Sequence, residues 1–166
     1  HGAEIQELAV FQTPDGSTLG RNDLVLKSVI GGSYGLTALR QLYIAGEYHY
    51  SGFGVDDITQ AQIRFLNPTF LARFIRGDSQ ILGRHAGAVQ LAYGLEGTAP
   101  VSLSWIFSPK DGSGVITPST RWLFSDNLTL IAQLYISHGA GPVNGRIRSE
   151  YGGTPAGGLI QISFYY

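Results

Sequence analysis

In six segments of this chain, apolar residues recur at every second position. The first, LYIAGEYHY, sets Leu42, Ile44, Gly46, Tyr48 and Tyr50 against Tyr43, Ala45, Glu47 and His49. The same alternation runs through VQLAYGL (89–95), VSLSWIFS (101–108), ITPSTRWLF (116–124), LTLIAQLYI (128–136) and the terminal GGLIQISFYY (157–166). A period of two is the signature of a strand with chemically different faces. Two further segments, residues 4–12 and 23–32, alternate less cleanly and bring the expected strands to eight. The apolar face of the six clear strands carries no charged residue. The opposite face is mostly Ser, Thr, Gln, Gly and Ala rather than Lys and Glu. Pro118 lacks the N–H that a ladder needs, which predicts a bulge or a rim position there.

Alternation is symmetric under inversion, so it fits two architectures. A soluble sandwich or lipocalin-like barrel, a small-ligand binder, would turn the apolar face inward. A transmembrane barrel would turn it to lipid. Composition favours the second. The 166 residues make one domain, with 43% hydrophobic but only 14% charged residues, against a usual charged share of about 25%. A domain of this size with so little charge is poorly equipped to coat itself for water. No apolar run reaches the roughly 18 residues of a membrane helix, so a membrane protein of this sequence must cross with strands. There is no methionine, so the chain is expected to begin after a processed or cut N terminus, and a missing signal peptide carries no information.

The connections add a second argument. Those expected after strands 1, 3, 5 and 7 are TPDGSTLGRN, the long stretch 52–79, SPKDGSG and HGAGPVNGRIRSEYGGTPAG. Those after strands 2, 4 and 6 are the tighter GSYGLT, LEGTAP and SDN. Long loops on one end and short turns on the other are the asymmetry of outer-membrane barrels, which makes 52–79 the expected long extracellular loop. With that topology the aromatics of the apolar face fall into two rims. Tyr48, Tyr50, Trp105 and Phe107 gather at the long-loop end. Tyr93, Trp122, Phe124, Phe164 and Tyr166 gather at the other. Amphipathic rings favour the headgroup level of a bilayer.

The terminal GGLIQISFYY resembles the C-terminal signal that the barrel-assembly machinery reads in Gram-negative outer-membrane β-barrel proteins. It matches in Gly157 or Gly158, in the alternating Ile160, Ile162 and Phe164, and in the aromatic Tyr166. The stretches GEYHYSGFG and SPKDGSG…SDNLTLIAQLYISHG resemble the C-terminal halves of larger, porin-like barrels. The resemblance covers most of residues 38–166. It implies location in the outer membrane of a Gram-negative bacterium, with barrel-assembly machinery, outer-membrane lipid and lipopolysaccharide as partners, and other membrane subunits as further candidates. It fixes no activity. The expected fold is therefore an antiparallel transmembrane β-barrel of about eight strands, or the C-terminal segment of a larger one.

The expected function is porin-like solute passage or a structural role, without catalysis or cofactor. The polar face would present Lys27, Glu47, His49, Arg84, Gln90, Arg121, Gln133 and Tyr135 to the lumen. In a barrel closed by eight strands these would be a sealing network, whereas in a larger barrel they would line a channel. The enzyme alternative is a lipid-modifying hydrolase, which needs a serine, a histidine and an orienting acid. His49 with Ser51 and Glu47 on one face is the better candidate, although neighbours two apart on a strand stand about 7 Å from each other. Ser137 and His138 are adjacent and point to opposite faces, and His85 falls toward the apolar face. No histidine cluster suggests a metal, and the absence of cysteine removes thiolate chemistry. PKDGSG has too few acids for a calcium loop and reads as a hairpin turn. With a formal net charge of −1 there is no electrostatic case for nucleic acid.

Within 52–79, DDITQAQIRFL is expected to open a helical turn capped by Asp56 or Asp57. TFLARFIRG is amphipathic, with Phe70, Leu71, Phe74 and Ile75 against Arg73 and Arg76. It is expected to pack over a barrel mouth or to offer arginines to lipopolysaccharide phosphates.

Overall fold

A computed structural model describes residues 3–12, 25–36, 42–77, 81–94 and 99–165. The fold is all-β. Eight antiparallel strands lie side by side in chain order: β1 (Ala3–Gln12), β2 (Val25–Leu36), β3 (Leu42–Ser51), β4 (His85–Tyr93), β5 (Val101–Phe107), β6 (Gly114–Ser125), β7 (Leu128–His138) and β8 (Gly157–Phe164). Each strand pairs with its sequence neighbours, as expected where alternating segments are joined by turns. The sheet is open. Among the described residues, β8 pairs only with β7 and β1 only with β2.

The register carries one face across the sheet, because directly opposed residues of an antiparallel pair share a face. Ile30 lies opposite Tyr48, Ile44 opposite Leu91, and Val89 opposite Trp105. Trp105 then meets Ile116, Ile116 meets Ile136, and Leu130 meets Ile162. Among the described residues, this apolar face has no second layer against it. Leu91, Leu103, Leu134 and Ile160 are all exposed, the last to 75%. The opposite face aligns Ala45, Gln90, Ser104 and Thr117.

Three sequence expectations change. The stretch GSYGLT is largely strand, because β2 continues to Leu36, and the connection is 37–41. Strand β4 starts at His85, before the visible alternation, through the small residues Ala86, Gly87 and Ala88. Pro118 makes no bulge. The β6–β7 register is the same on both sides of it (Ile116↔Ile136, Ser119↔Gln133) and only the intervening rungs are interrupted. The irregularity lies instead at Leu123/Ser125, beside the two-residue turn to β7.

The β3–β4, β5–β6 and β7–β8 connections all emerge at one end of the sheet and pack together as a cap. The β3–β4 connection holds a 3-10 turn (Ile58–Gln60) and two short helices, α1 (Ala61–Phe65) and α2 (Pro68–Ile75). Asp57, not Asp56, caps the first turn, its carboxylate accepting from the Thr59 N–H at 3.0 Å. In α2 the proline takes the first position, where no N–H is required, and Asn67 accepts from the Phe70 N–H. Phe70 and Phe74 pack edge-on against Phe65 of α1, 5.5 and 5.1 Å between ring centres, while Leu71 and Ile75 of the same helix stay exposed. The cap's small core is Val55, Ile58 and Ala61, with Phe65, Leu82 and Ile147 against it.

Candidate functional site

Two places gather chemistry: the polar face of the sheet and the cap above its long-loop end. On the polar face, Glu47 is directly opposed by Gly31 and Ala88, so its side chain lies across small neighbours. A Cβ on Gly31 would come within 2.8 Å of the Glu47 Cγ. His49, two residues on, meets the Glu47 carboxylate at 3.0 Å. The two therefore lean toward each other along the strand, closer than the bare spacing of same-face neighbours. Ser51 does not join them. Its hydroxyl is buried and has no hydrogen-bond partner among the described residues, so the serine–histidine–acid set of the enzyme alternative lacks its nucleophile–base link. Gln90 and Arg121 are exposed on this face and Gln133 is half-buried. Ser102 and Ser119 bridge strands by a 2.6 Å hydroxyl–hydroxyl bond.

Lys27 and Arg84, expected among the same group, stand at its cap end. The Lys27 ammonium sits 5.1 Å from the centre of the Phe53 ring. Arg84 precedes β4, donates through Nε to the Gly54 carbonyl at 3.0 Å and pairs with Asp56 at 3.2 Å. Both side chains hold the start of the β3–β4 connection.

On the apolar face the aromatics take up the two ends. Trp105 and Phe107 stack at 4.4 Å near the cap, and Trp122 and Phe124 at 4.7 Å near the short turns. Two glycines make room for the first pair. Phe107 lies over Gly87, where a Cβ would stand 2.3 Å from the ring, and Gly114 sits beneath Trp105 and His138, where a Cβ would stand 2.7 Å from a nitrogen of each ring. Trp105 donates its indole N–H to His138 at 3.0 Å, and Tyr48 bonds His85. Tyr50 also packs beside His85, at 5.5 Å. Tyr93 and Phe164 lie at the other end, while Tyr166 is outside the described residues. Two members of these bands were not read from the sequence: Tyr34, on the apolar face opposite Ile44, was hidden in a supposed turn, and His138 lies at a strand end where alternation fades. His85, read toward the apolar face, lies there opposite Tyr50.

The cap is tied by a buried polar network around the β5–β6 turn. Asp111 accepts from the Ser113 N–H (2.9 Å) and hydroxyl (2.7 Å), and its other oxygen from the Glu150 N–H (2.8 Å). Gly112 between them has φ +67°, the left-handed conformation that a side chain resists. Glu150 in turn accepts from the Leu82 N–H at 2.7 Å and the Gly83 N–H at 3.0 Å, joining the β7–β8 connection to the β3–β4 connection. Burial pushes the Asp111 carboxyl up, but hydrogen bonds from Ser113, Glu150 and Ser108 together outweigh it and leave the group below its ordinary range. Glu150 is held above its ordinary range, first by burial and then by the nearby Asp111 charge, against the pull of the two N–H donors. Tyr151, buried beside both carboxylates, is pushed up to about 12.

These groups resemble a structural tie more than a reactive centre: nearly every polar atom is bonded to backbone. Among the described residues no cluster of three or more His, Cys, Asp or Glu has metal-binding geometry. No family model, curated protein or solved structure matches this chain.

Proposed function

We propose that this chain forms the wall of an outer-membrane β-barrel with a porin-like or structural role, in the outer membrane of a Gram-negative bacterium. The observation that carries the reading is the apolar face. It runs unbroken through the register from β2 to β8 and meets no other part of the described chain. In water such a surface is far larger than soluble proteins normally tolerate. Against hydrocarbon it is satisfied, and the aromatic bands at its two ends match the headgroup levels. Strands of 7 to 12 residues suit a tilted crossing, which takes roughly 9–11.

The open edges of β1 and β8 favour the larger-barrel form of this reading, in which further strands, from the same polypeptide or another subunit, complete the wall. The polar face then borders an aqueous interior, with the Glu47–His49 pair and Arg121 as its charged lining. Lipid, lipopolysaccharide and the barrel-assembly machinery are the partners that this placement brings. Extraction and gel mobility test it: the protein should require detergent and should migrate differently before and after heating. A chain that stays in solution without detergent, with one mobility, would overturn the membrane reading. In planar bilayers a porin-like wall gives stepwise conductance, and silence there leaves the structural role.

A further inference from the structure

We infer that the cap carries a binding site for a phosphomonoester group, formed by Arg146 and Arg148 over the first helical turns of the β3–β4 connection. The cleft there has a volume of about 920 Å³ and is bordered by Thr59, Gln62 and Ile63 on one side and by residues 143–148 on the other. That is the size range of small-molecule sites. The site lies in the loops and does not depend on what meets the sheet's apolar face.

Its walls are built. Val143 and Arg146 exchange backbone hydrogen bonds at 3.1 and 2.9 Å around Asn144 and Gly145, whose φ values of 52° and 73° define a tight reversed turn. Gln62 of α1 donates to the Gly145 carbonyl at 2.6 Å and fixes the turn against the helix. Ile147 packs against the Val55–Ile58–Ala61 core, while its neighbours Arg146 and Arg148 both line the cleft. The segment thus anchors by its apolar residue and places both arginines on the wall of one cleft.

The cap's other arginines differ in their commitments. Arg64 donates to the Phe53 carbonyl at 3.1 Å, and Arg84 is bound to Gly54 and Asp56. Among the described residues, neither the Arg146 nor the Arg148 side chain has a hydrogen-bond or ion-pair partner. The nearby carboxylates are already engaged: Asp56 by Arg84, Asp57 by Thr59, Asp111 by Ser113 and Glu150 by Leu82 and Gly83. Arg148 also lines the smaller cavity of about 270 Å³ next door, which Asp56, Asp57, Asp111 and Glu150 border as well. Two guanidinium groups match the charge of one phosphomonoester, close to −2 at neutral pH, and their fork geometry suits its oxygens. A carboxylate would neutralise only one of them. Gln62 keeps a second amide hydrogen, and Asn144 adds an amide for a sugar or glycerol hydroxyl, beside the apolar Ile63 and Val143.

The test is equilibrium dialysis of the full chain in detergent, at low salt, with labelled glucose 1-phosphate. The expected result is saturable binding of one equivalent. Replacing both cations (Arg146→Gln with Arg148→Gln) should weaken it about 100-fold, each charged contact counting for roughly tenfold or more. Arg121→Gln on the sheet should leave it unchanged, which controls for general charge loss. Uncharged glucose and singly charged glucuronate should not compete. No saturable binding, full competition by either sugar, or a double variant within twofold of the parent would each overturn the site. Micelles doped with phosphatidic acid or phosphatidylcholine then separate the sources. Displacement of the sugar phosphate by phosphatidic acid alone assigns a lipid headgroup, and displacement by neither assigns a soluble ester. These outcomes are independent of conductance and of detergent dependence.

Discussion

The wall and the cap of this protein are held by different physics. In the wall, the polar atoms that matter are backbone groups spent in the ladder, and the large apolar side chains of β2 to β8 remain uncovered. In the cap, Ser108, Ser113 and Ser149 are buried, carboxylates tie one loop to the next, and a few residues around Val55 and Ile58 form a closed core. The cap is organised like a small water-soluble fold. The wall is organised like a surface waiting for an apolar medium. In the outer-membrane reading proposed above, one chain carries two solvation rules, and the change of rule falls at the aromatic band formed by Trp105, Phe107 and Tyr48.

The strongest way to break this contrast is to put a charge in the middle of the apolar face. Leu103 pairs with Leu91 and Pro118 at mid-strand. Leu103→Arg should cost about 2–4 kcal/mol in a bilayer, read from denaturant unfolding in lipid vesicles, while the same change at Ser104 on the other face costs much less. Equal costs would mean that the two faces see the same medium.

The cap should answer to a different substitution. Glu150→Ala leaves the Leu82 and Gly83 N–H groups without their acceptor and should cost the cap about 1–3 kcal/mol. Hydrogen exchange should show faster exchange at those amides and unchanged protection in β5 to β7. The pH dependence sharpens the test. Because the Glu150 carboxyl is held above its ordinary range, its contribution to cap stability is fully present below that range and fades as pH rises through the raised value. Asp111, held low, acts in the opposite sense: its contribution is present above the ordinary carboxylate range and fades as pH falls through its own depressed value. Cap protection should therefore peak in mild acid, and Glu150→Ala should remove the decline on the neutral side.

The smallest effect concerns the wall's own weak point. Pro118 interrupts the β6–β7 rungs without shifting their register. Pro118→Val restores a donor and should stabilise the wall by about 1 kcal/mol, with a newly protected amide at that position. A register change in the variant would show that the proline sets the pairing.

Much of the wall was legible in the sequence and little of the cap was. Alternation in residues 42–50 and 101–136 marks strands because each side chain reports its face independently of distant partners. It fails where both faces are small, as at Ala86, Gly87 and Ala88, and where glycines crowd Tyr34. Asp57 as a cap and PKDGSG as a turn were readable because their partners are two residues away. Glu150 was not, because its acceptors serve amides 68 and 67 residues earlier in the chain. Arg84 looked like a lining residue because its parity with Gln90 is right. Its bond to Asp56 depends on a loop that folds back, which no local pattern records.

The turn between β6 and β7 has one more consequence. Asn127 accepts from the Tyr165 N–H at 2.9 Å through its own carbonyl and donates its side-chain amide to the Tyr165 carbonyl at 2.7 Å. The hairpin thus grips the chain at the end of β8 through both backbone groups of one residue. With Leu128 opposite Phe164, the frame of the last strand is set by its neighbour β7. The free edge of that strand therefore presents its N–H and carbonyl groups in a spacing that β7 has ruled.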